Sequence, residues 1–184
     1  MEYQTGTIEE QGDRVLMIST DPGLMDSHAG SGDVLERHRK YAERVDSLDI
    51  IVLGATPGKK NVVTPRLTVY AVGRGFFGVR EALVRGRQIC RDKRITLLVT
   101  QDPHVTGFVG MRLKRHFHIP LLVNMHGDFL NNHHWRSEHW QHRIKDYLQR
   151  RIIPRADALR VVSAGIRDKL LKYGIAPEKI SVIN

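Results

Sequence analysis

The sequence predicts an α/β fold, in which helices cover both faces of a parallel β-sheet of about seven strands. Short runs of consecutive apolar residues recur along the 184 residues, as expected for strands buried on both faces. Segments with apolar residues at helical spacing separate these runs. Strands that alternate with helices imply parallel pairing and right-handed crossovers. We expect one domain over residues 14–184, preceded by an N-terminal extension over residues 1–13.

Seven apolar runs define the predicted strands. Most hold three or more consecutive apolar residues, a pattern typical of parallel strands covered on both sides. In chain order they are Arg14–Thr20, Leu48–Leu53, Leu67–Val72, Ile95–Thr100, Leu121–Met125, Leu159–Val162 and Lys179–Ile183.

Three predicted helices lie between the first five strands, and only the second and third strands follow one another without a helix between them. The first begins at Asp33, where apolar residues recur at helical spacing and charged residues fill the other positions. The second follows the stretch Gly75–Gly78, and the third runs from about Val105 to Phe117.

The fourth predicted helix is long and amphipathic, and a short fifth helix follows the sixth strand. The apolar residues of the fourth helix occur at steps of four, three, one and four: Trp140, Ile144, Tyr147, Leu148 and Ile152. Ser137 is its predicted N-cap, and Pro154 ends it. The fifth helix runs over Ile166–Tyr173, with Ser163 as its cap and Gly174 at its C-terminal stop.

Composition restricts the class of protein. Hydrophobic residues make up 41% of the chain, and no uncharged apolar run approaches the ~20 residues that span a bilayer. Residues 1–13 lack the basic start and apolar core of a secretory signal, so we expect a cytoplasmic protein. The single cysteine, Cys90, lies on the apolar side of a predicted helix, where we expect a buried, inert thiol.

The formal net charge of +9 favours an anionic partner. An acidic membrane surface or a phosphorylated small molecule would explain the sign, and so would solvated helix faces on a basic protein. The basic residues are spread over several helices without a helix-turn-helix, zinc-finger or aromatic RNA-binding pattern. The sequence therefore predicts no nucleic-acid partner.

Compact polar clusters follow four of the predicted strands. They are Gly30-Ser31-Gly32, Gln101-Asp102-Pro103-His104, His126-Gly127-Asp128 and Ser163. If the four strands are parallel neighbours, the clusters share the carboxyl edge of the sheet, where ligands bind in open α/β folds. We therefore expect the functional site at this edge.

The chemistry of these clusters excludes several classes of enzyme. Gly30-Ser31-Gly32 lacks the third glycine of a dinucleotide fingerprint, because Leu35 stands there, and remains compatible with a flexible turn. No Walker loop is present, and no Gly-x-Ser-x-Gly elbow makes Ser163 a nucleophile. A histidine-rich segment contains residue types that can bind a metal ion: His133, His134, Glu138, His139 and His142. Their spacing is not that of a zinc protease. We predict no metal site.

A resemblance to a known family becomes specific in four segments that follow the glycine loop in order. They are Glu36–His38, Asn124–Asp128, Arg155–Ser163 and Glu178–Asn184. Together they resemble the N-terminal, acceptor-side half of a retaining glycosyltransferase of the GT-B fold, of the family 4 type, which includes sucrose synthase, glycogen synthase and bacterial mannosyltransferases. The resemblance implies that this Rossmann-like domain faces a second, donor-binding domain across a cleft.

The resemblance also implies roles for individual residues. His126 would contact the transferred sugar near the reaction centre, as the catalytic residue of this half. The substrate-binding residues would be Gly30, Ser31, Gly32, Asp102, His104, Asp128 and Ser163. Two features depart from the family pattern: Ser31 interrupts the usual Gly-Gly pair, and Gln101–His104 replaces the usual His-x-His.

The function implied by the resemblance is transfer of a hexose from a UDP- or GDP-sugar to a glycan or lipid-linked acceptor, without a metal or other cofactor. The C-terminal donor domain is absent from this sequence, so we expect the chain alone to be inactive. An anionic membrane at the inner leaflet is a further expected partner. The alternative is a Rossmann-like binding module for a phosphorylated ligand or anionic surface, without catalysis. A nicotinamide enzyme would bind NAD(P)H, which we do not expect here.

Overall fold

One eight-stranded sheet organises the protein, as seen in a computed structural model that describes residues 12–25, 34–127 and 139–183. The strands are β1 (Arg14–Ser19), β2 (Ser47–Leu53), β3 (Lys60–Thr64), β4 (Leu67–Val72), β5 (Leu97–Thr100), β6 (Leu121–Met125), β7 (Ala158–Val161) and β8 (Ile180–Val182). The α-helices of the described residues are α1 (Val34–Ala42), α2 (Gly75–Lys93), α3 (Val105–Phe117), α4 (Trp140–Ile152) and α5 (Ala164–Lys172). The strand order is β3-β4-β2-β1-β5-β6-β7-β8.

The predicted α/β class is confirmed, and all seven predicted strands are present. Every neighbouring pair from β4 to β8 in the sheet is parallel. The eighth strand, β3, was not predicted from the sequence, and it pairs antiparallel with β4 at the edge of the sheet. Its sequence, KNVVT, is short, polar and partly exposed, as is typical of edge strands that avoid pairing with other molecules.

Two cores lie on opposite faces of the sheet. Leu16 and Ile18 belong to one core, and their neighbour Val15, with Met17, belongs to the other, as the alternation of side chains along a strand requires. Helices α2, α3, α4 and α5 all contribute to the first core. Among the described α-helices, only α1 contributes to the second, together with Leu24 of the short 3₁₀ helix Pro22–Leu24. Helices on both faces are thus confirmed, but the coverage is unequal.

Only part of the predicted apolar face of α4 packs on the core, where Ile152 is buried and Leu148 is partly buried. Trp140, Ile144 and Tyr147 are 71%, 49% and 56% exposed, whereas Asp146 and Gln149 are buried. The Asp146 carboxylate is satisfied locally, because it accepts hydrogen bonds from Gln149 Nε2 at 3.0 Å and from Arg150 Nε at 2.8 Å. Arg150 also donates to the Tyr173 hydroxyl at 2.6 Å, which ties α4 to the end of α5.

The predicted ends of α4 and α5 are confirmed in part. Helix α4 begins after His139 rather than after Ser137, which lies outside the described residues, and it passes into a short 3₁₀ turn that contains Pro154. Ser163 caps α5 as predicted, since its hydroxyl accepts a hydrogen bond from the Ile166 amide at 3.3 Å. Gly174 follows the helix with φ +82°, a conformation that favours glycine.

A buried carboxylate joins three elements at the amino ends of the strands. Asp49 of β2 is fully buried, and its Oδ1 accepts hydrogen bonds from Lys93 Nζ at 2.8 Å and from the Tyr70 hydroxyl at 3.2 Å. Burial of the phenol, together with the charge of Asp49 and its hydrogen bond, raises the pKa of Tyr70 to about 12. The ion pair attaches the last residue of α2 to the centre of the sheet.

Two further expectations concern solvent exposure. Cys90 is buried, as predicted, and burial raises the pKa of its thiol to about 12, so the unreactive thiol form persists at neutral pH. None of the helices in the described residues is both long and apolar enough to cross a lipid bilayer.

We expect Gly78→Ala to destabilise the protein by about 1–3 kcal/mol, because overpacking forces the backbone to move. A Cβ at Gly78 would overlap the carbonyl oxygen of Gly73. The matched control is Gly165→Ala in the first turn of α5, where the nearest atom to the new Cβ is Ser163 Oγ at 3.9 Å. Urea unfolding should show unchanged or slightly greater stability for this control, by up to about 1 kcal/mol. Equal free energies of unfolding for the two variants would contradict the close contact.

Candidate functional site

The polar clusters that the structure describes share the carboxyl edge of the sheet, as predicted. Strands β1, β5, β6 and β7 are neighbours in that order, and all are parallel. Gln101, His126 and Ser163 therefore follow the same ends of adjacent or nearly adjacent strands. The remaining predicted site residues Gly30, Ser31, Gly32 and Asp128 lie outside the described residues.

A row of four polar residues crosses the sheet at this edge. The register pairs Ile18 with Thr100, Thr100 with Val123, and Asn124 with Arg160. The residues one step further along, Ser19 and Gln101, are joined because the Ser19 hydroxyl donates to Gln101 Oε1 at 2.7 Å. Ser19, Gln101, Asn124 and Arg160 thus form one row on the face that also carries α1; we call it the polar row.

A cavity of about 290 Å³ lies between the polar row, the sheet and α1. Its floor consists of apolar side chains from three strands: Val15, Met17, Leu97, Val99 and Leu122. Its wall includes Val34, His38 and Tyr41 of α1, and its rim includes Arg37 and His126. The cavity is therefore apolar at its base and polar at the carboxyl edge.

Asn124 is the most deeply buried polar residue of β6. It is 5% exposed, and its Nδ2 donates a hydrogen bond to the Thr100 carbonyl at 3.1 Å, which fixes the orientation of the amide. Its Oδ1 has no hydrogen-bond partner within the part of the chain that the structure describes. Leaving a buried acceptor unsatisfied costs about 1–3 kcal/mol, so this oxygen is suited to a donor group on a bound molecule.

His126 lies at the rim, directly after β6. Partial burial and the nearby positive charges of Arg160 and Arg37 lower the pKa of its ring, against the opposing effect of Asp102. The imidazole is consequently neutral at pH 7 and offers one donor and one acceptor nitrogen.

Asp102 and His104 are placed at the start of α3 rather than in the cavity. Asp102 Oδ1 accepts a hydrogen bond from the His104 amide at 2.6 Å, and its carbonyl accepts one from Thr106 Oγ1 at 2.9 Å. The ring of His104 is buried against α4 and forms a hydrogen bond with the backbone of Lys145. Burial lowers the pKa of this ring. Asp102 thus shapes the turn that opens α3, and a role of either residue in ligand binding stays a prediction.

Ser163 shares the edge but does not line the cavity among the described residues. Its hydroxyl caps α5. Sequence reasoning placed Gln101 in a cluster at this edge, but it assigned no site role to five polar cavity residues: Ser19, Arg37, Gln101, Asn124 and Arg160. Two of them had a visible signal, because Asn124 and Arg160 interrupt otherwise apolar strands.

In the described ranges, no group of three or more His, Cys, Asp or Glu side chains is arranged to hold a metal ion. His139 and His142 contact one another edge to face, with ring centroids 5.3 Å apart. The other members of the histidine-rich segment, His133, His134 and Glu138, lie outside these ranges.

The fold is that of one half of a GT-B protein, as three solved structures illustrate. Sucrose-phosphate synthase from Thermosynechococcus elongatus has a TM-score of 0.65 at 14% identity, over 92% of this chain and 47% of that protein. The O. sativa protein Os79, solved in complex with UDP, has a TM-score of 0.59 at 11% identity, over 93% and 52%. The Neisseria meningitidis UDP-GlcNAc 2-epimerase bound to UDP-GlcNAc has a TM-score of 0.56 at 11% identity, over 91% and 45%.

The family profile described as a glycosyl transferase 4-like domain matches residues 33–184. The chain therefore belongs to the glycosyl transferase 4-like domain family, as its resemblance indicated. It spans about half the length of the solved proteins that it matches. No curated protein sequence matches it significantly.

We expect protonation of His38 to destabilise the fold at acidic pH. His38 is 8% exposed, its Nδ1 lies 2.7 Å from the Val34 carbonyl oxygen, and burial lowers the pKa of its ring in the folded state. The unfolded chain binds this proton at about pH 6.5, so stability present above that pH is lost as the pH falls through the folded pKa.

Thermal unfolding of the wild type and of His38→Gln, followed by circular dichroism at pH 7.5 and 5.0, tests this effect. The Tm of the wild type should fall further between pH 7.5 and pH 5.0 than the Tm of the variant does. Identical losses would show that His38 does not contribute to the pH dependence.

Proposed function

We propose that this chain is the acceptor-side half of a retaining glycosyltransferase, which transfers a hexose from a nucleotide sugar to a glycan or lipid-linked acceptor. The observation that carries the proposal is the place of His126, at the carboxyl edge and on the rim of a cavity, in a glycosyl transferase 4-like domain. Ligands of open α/β sheets bind at this edge.

The donor is proposed to be a UDP- or GDP-sugar held by a second domain. Two of the similar structures are described with UDP or UDP-GlcNAc bound, and this chain spans only about half of each. A departing nucleoside diphosphate gains negative charge, which fixed cations or helix dipoles must stabilise. We assign that task to the donor domain without a metal ion, and therefore expect the 184-residue chain alone to be inactive.

His126 would position the transferred sugar. In its neutral form the ring can accept a hydrogen bond from a sugar hydroxyl while its other nitrogen donates. Partial burial, together with the positive charges of Arg160 and Arg37, lowers the pKa of the ring and so maintains this form at neutral pH. The acceptor hydroxyl would then approach the anomeric carbon from the side of the cavity.

In the protein joined to its donor domain, His126→Ala should lower kcat/KM by about 10²-fold, because loss of a positioning contact misaligns the reacting atoms. The measurement is sugar transfer from a panel of UDP- and GDP-sugars, and His126→Gln, which keeps one donor and one acceptor, should recover part of the rate. His116→Gln on the exposed end of α3 is the matched control and should be fully active. Undiminished transfer by His126→Ala would remove this residue from the mechanism.

A second proposal concerns attachment to the cytoplasmic membrane surface through α4. Its exposed face combines Trp140, Ile144 and Tyr147 with the exposed arginines Arg143 and Arg151. The Arg151 guanidinium lies 5.2 Å from the centre of the Tyr147 ring. Apolar and aromatic residues flanked by basic ones suit the interface of an anionic bilayer. This face would place the acceptor-side domain beside lipid-linked acceptors, or, without catalysis, would make the chain a binding module.

Sedimentation with vesicles tests the membrane proposal. We expect salt-sensitive binding to phosphatidylserine vesicles, and the double variant Arg143→Gln and Arg151→Gln should weaken it about 30-fold, at ~1 kcal/mol for each charge. The double variant Arg80→Gln and Arg91→Gln on α2 removes the same charge from another exposed surface and should bind as the wild type does. Equal binding to neutral vesicles, or equal weakening by both double variants, would contradict a specific α4 surface.

A further inference from the structure

The cavity under α1 has a polar side and an apolar side in a fixed order. The polar row lies at the carboxyl ends of β1, β5, β6 and β7, whereas the apolar floor lies nearer the amino ends of the same strands. The register pairs Met17 with Val99 and Val99 with Leu122, so the floor is continuous across three strands. A molecule entering from the edge would place its apolar part deepest.

The buried oxygen of Asn124 specifies one polar contact. Because Nδ2 is held by the Thr100 carbonyl, the amide presents Oδ1 as an acceptor that lacks a partner in the described part of the chain. Asn124 lines the cavity, and only 5% of its surface is exposed. A hydroxyl or N–H group of a bound molecule would satisfy this oxygen, whereas an apolar group would leave it unsatisfied.

The charges around the rim specify a second contact. Arg160 is the direct register neighbour of Asn124, and Arg37 of α1 also lines the cavity. Asp21 is the acidic residue among the described lining residues, and its Oδ1 already accepts a hydrogen bond from the Gly23 amide at 2.9 Å. Guanidinium groups bind phosphate and carboxylate groups well, so the rim favours an anion.

The volume limits the apolar part. About 290 Å³ is at the small end of the range for ligand pockets, which is roughly 300–1,000 Å³. The floor therefore suits a short alkyl or ring segment rather than a whole lipid chain.

We infer that this cavity binds the acceptor, and that the acceptor is an amphiphilic phosphate ester, with a short apolar segment on the floor, a hydroxyl on Asn124 and a phosphate near Arg160 and Arg37. The identification of this ligand as the acceptor rests on the proposed function, whereas binding of the phosphate ester itself requires no donor. Such a group could belong to a lipid at the membrane or to a soluble phosphate ester.

Isothermal titration calorimetry on the 184-residue chain compares three probes below their micelle concentrations. They are 1-O-hexylglycerol 3-phosphate, 1-O-hexylglycerol and inorganic phosphate. The first should bind at least about tenfold more tightly than either of the others, because only it engages both the floor and the arginines. Absence of binding, or equal binding of inorganic phosphate, would overturn the inference.

Two variants locate the site. Arg160→Gln should weaken binding of the phosphate-bearing probe about tenfold and leave binding of 1-O-hexylglycerol unchanged. Val99→Phe should fill the floor and abolish binding of both hexyl probes. Arg155→Gln, an exposed arginine outside the cavity, is the matched control and should change neither. If Val99→Phe fails to fold, the comparison of Arg160→Gln with Arg155→Gln still tests whether the probe binds in this cavity. Equal effects of these two variants on probe binding would overturn the assignment.

Two further measurements separate this inference from the proposed function. If the probe binds as expected but the protein with its donor domain transfers no sugar, the proposed function fails while the phosphate-ester site stands. If transfer occurs and Arg160→Gln leaves the acceptor KM unchanged, the proposed function stands and the acceptor inference fails. Displacement of the bound probe by phosphatidic acid vesicles would assign the phosphate to a lipid, and no displacement would assign it to a soluble ester.

Discussion

The parallel register of β1, β5, β6 and β7 is the constraint on which the site depends. It brings Ser19, Gln101, Asn124 and Arg160 into one row, although they come from four separate segments of the chain. Side chains alternate between the faces of a strand, so a slip of one residue in β6 would exchange Asn124 for an apolar neighbour on the cavity side. The buried rows that pack against the four helices on the other face oppose such a slip, because it would expose Leu121, Val123 and Met125.

Unequal covering of the two faces creates the space in which the site lies. Helices α2, α3, α4 and α5 share one core, and among the described α-helices α1 alone packs on the other side. The apolar side chains of β5 and β6 that face α1, such as Val99 and Leu122, are only partly buried and form the cavity floor. A sheet whose apolar side chains are not fully covered on one face can accept an amphiphilic molecule there without first opening a packed core.

Sequence patterns predicted the strands well because parallel strands must be apolar on both faces, as in the run Val15–Ile18. They missed β3, whose polar edge sequence resembles a loop. They predicted the inward face of α4 only in part, since burial of Asp146 beside Gln149 depends on partners such as Arg150 that periodicity does not reveal. The carboxyl edge could be predicted from where strands end, but the roles of Gln101, Asn124 and Arg160 could not. Their juxtaposition depends on strand order and register, which no local pattern encodes.

The Asp49 ion pair has a consequence for how such a domain can diversify. It anchors β2, β4 and α2 on the face of the sheet opposite the cavity. This stabilising contact thus lies on one face of the sheet, and the candidate site lies on the other. Loops at the carboxyl edge can accumulate changes without disturbing this contact, which is one physical route by which proteins sharing only 11–14% of their residues with this chain retain the same architecture.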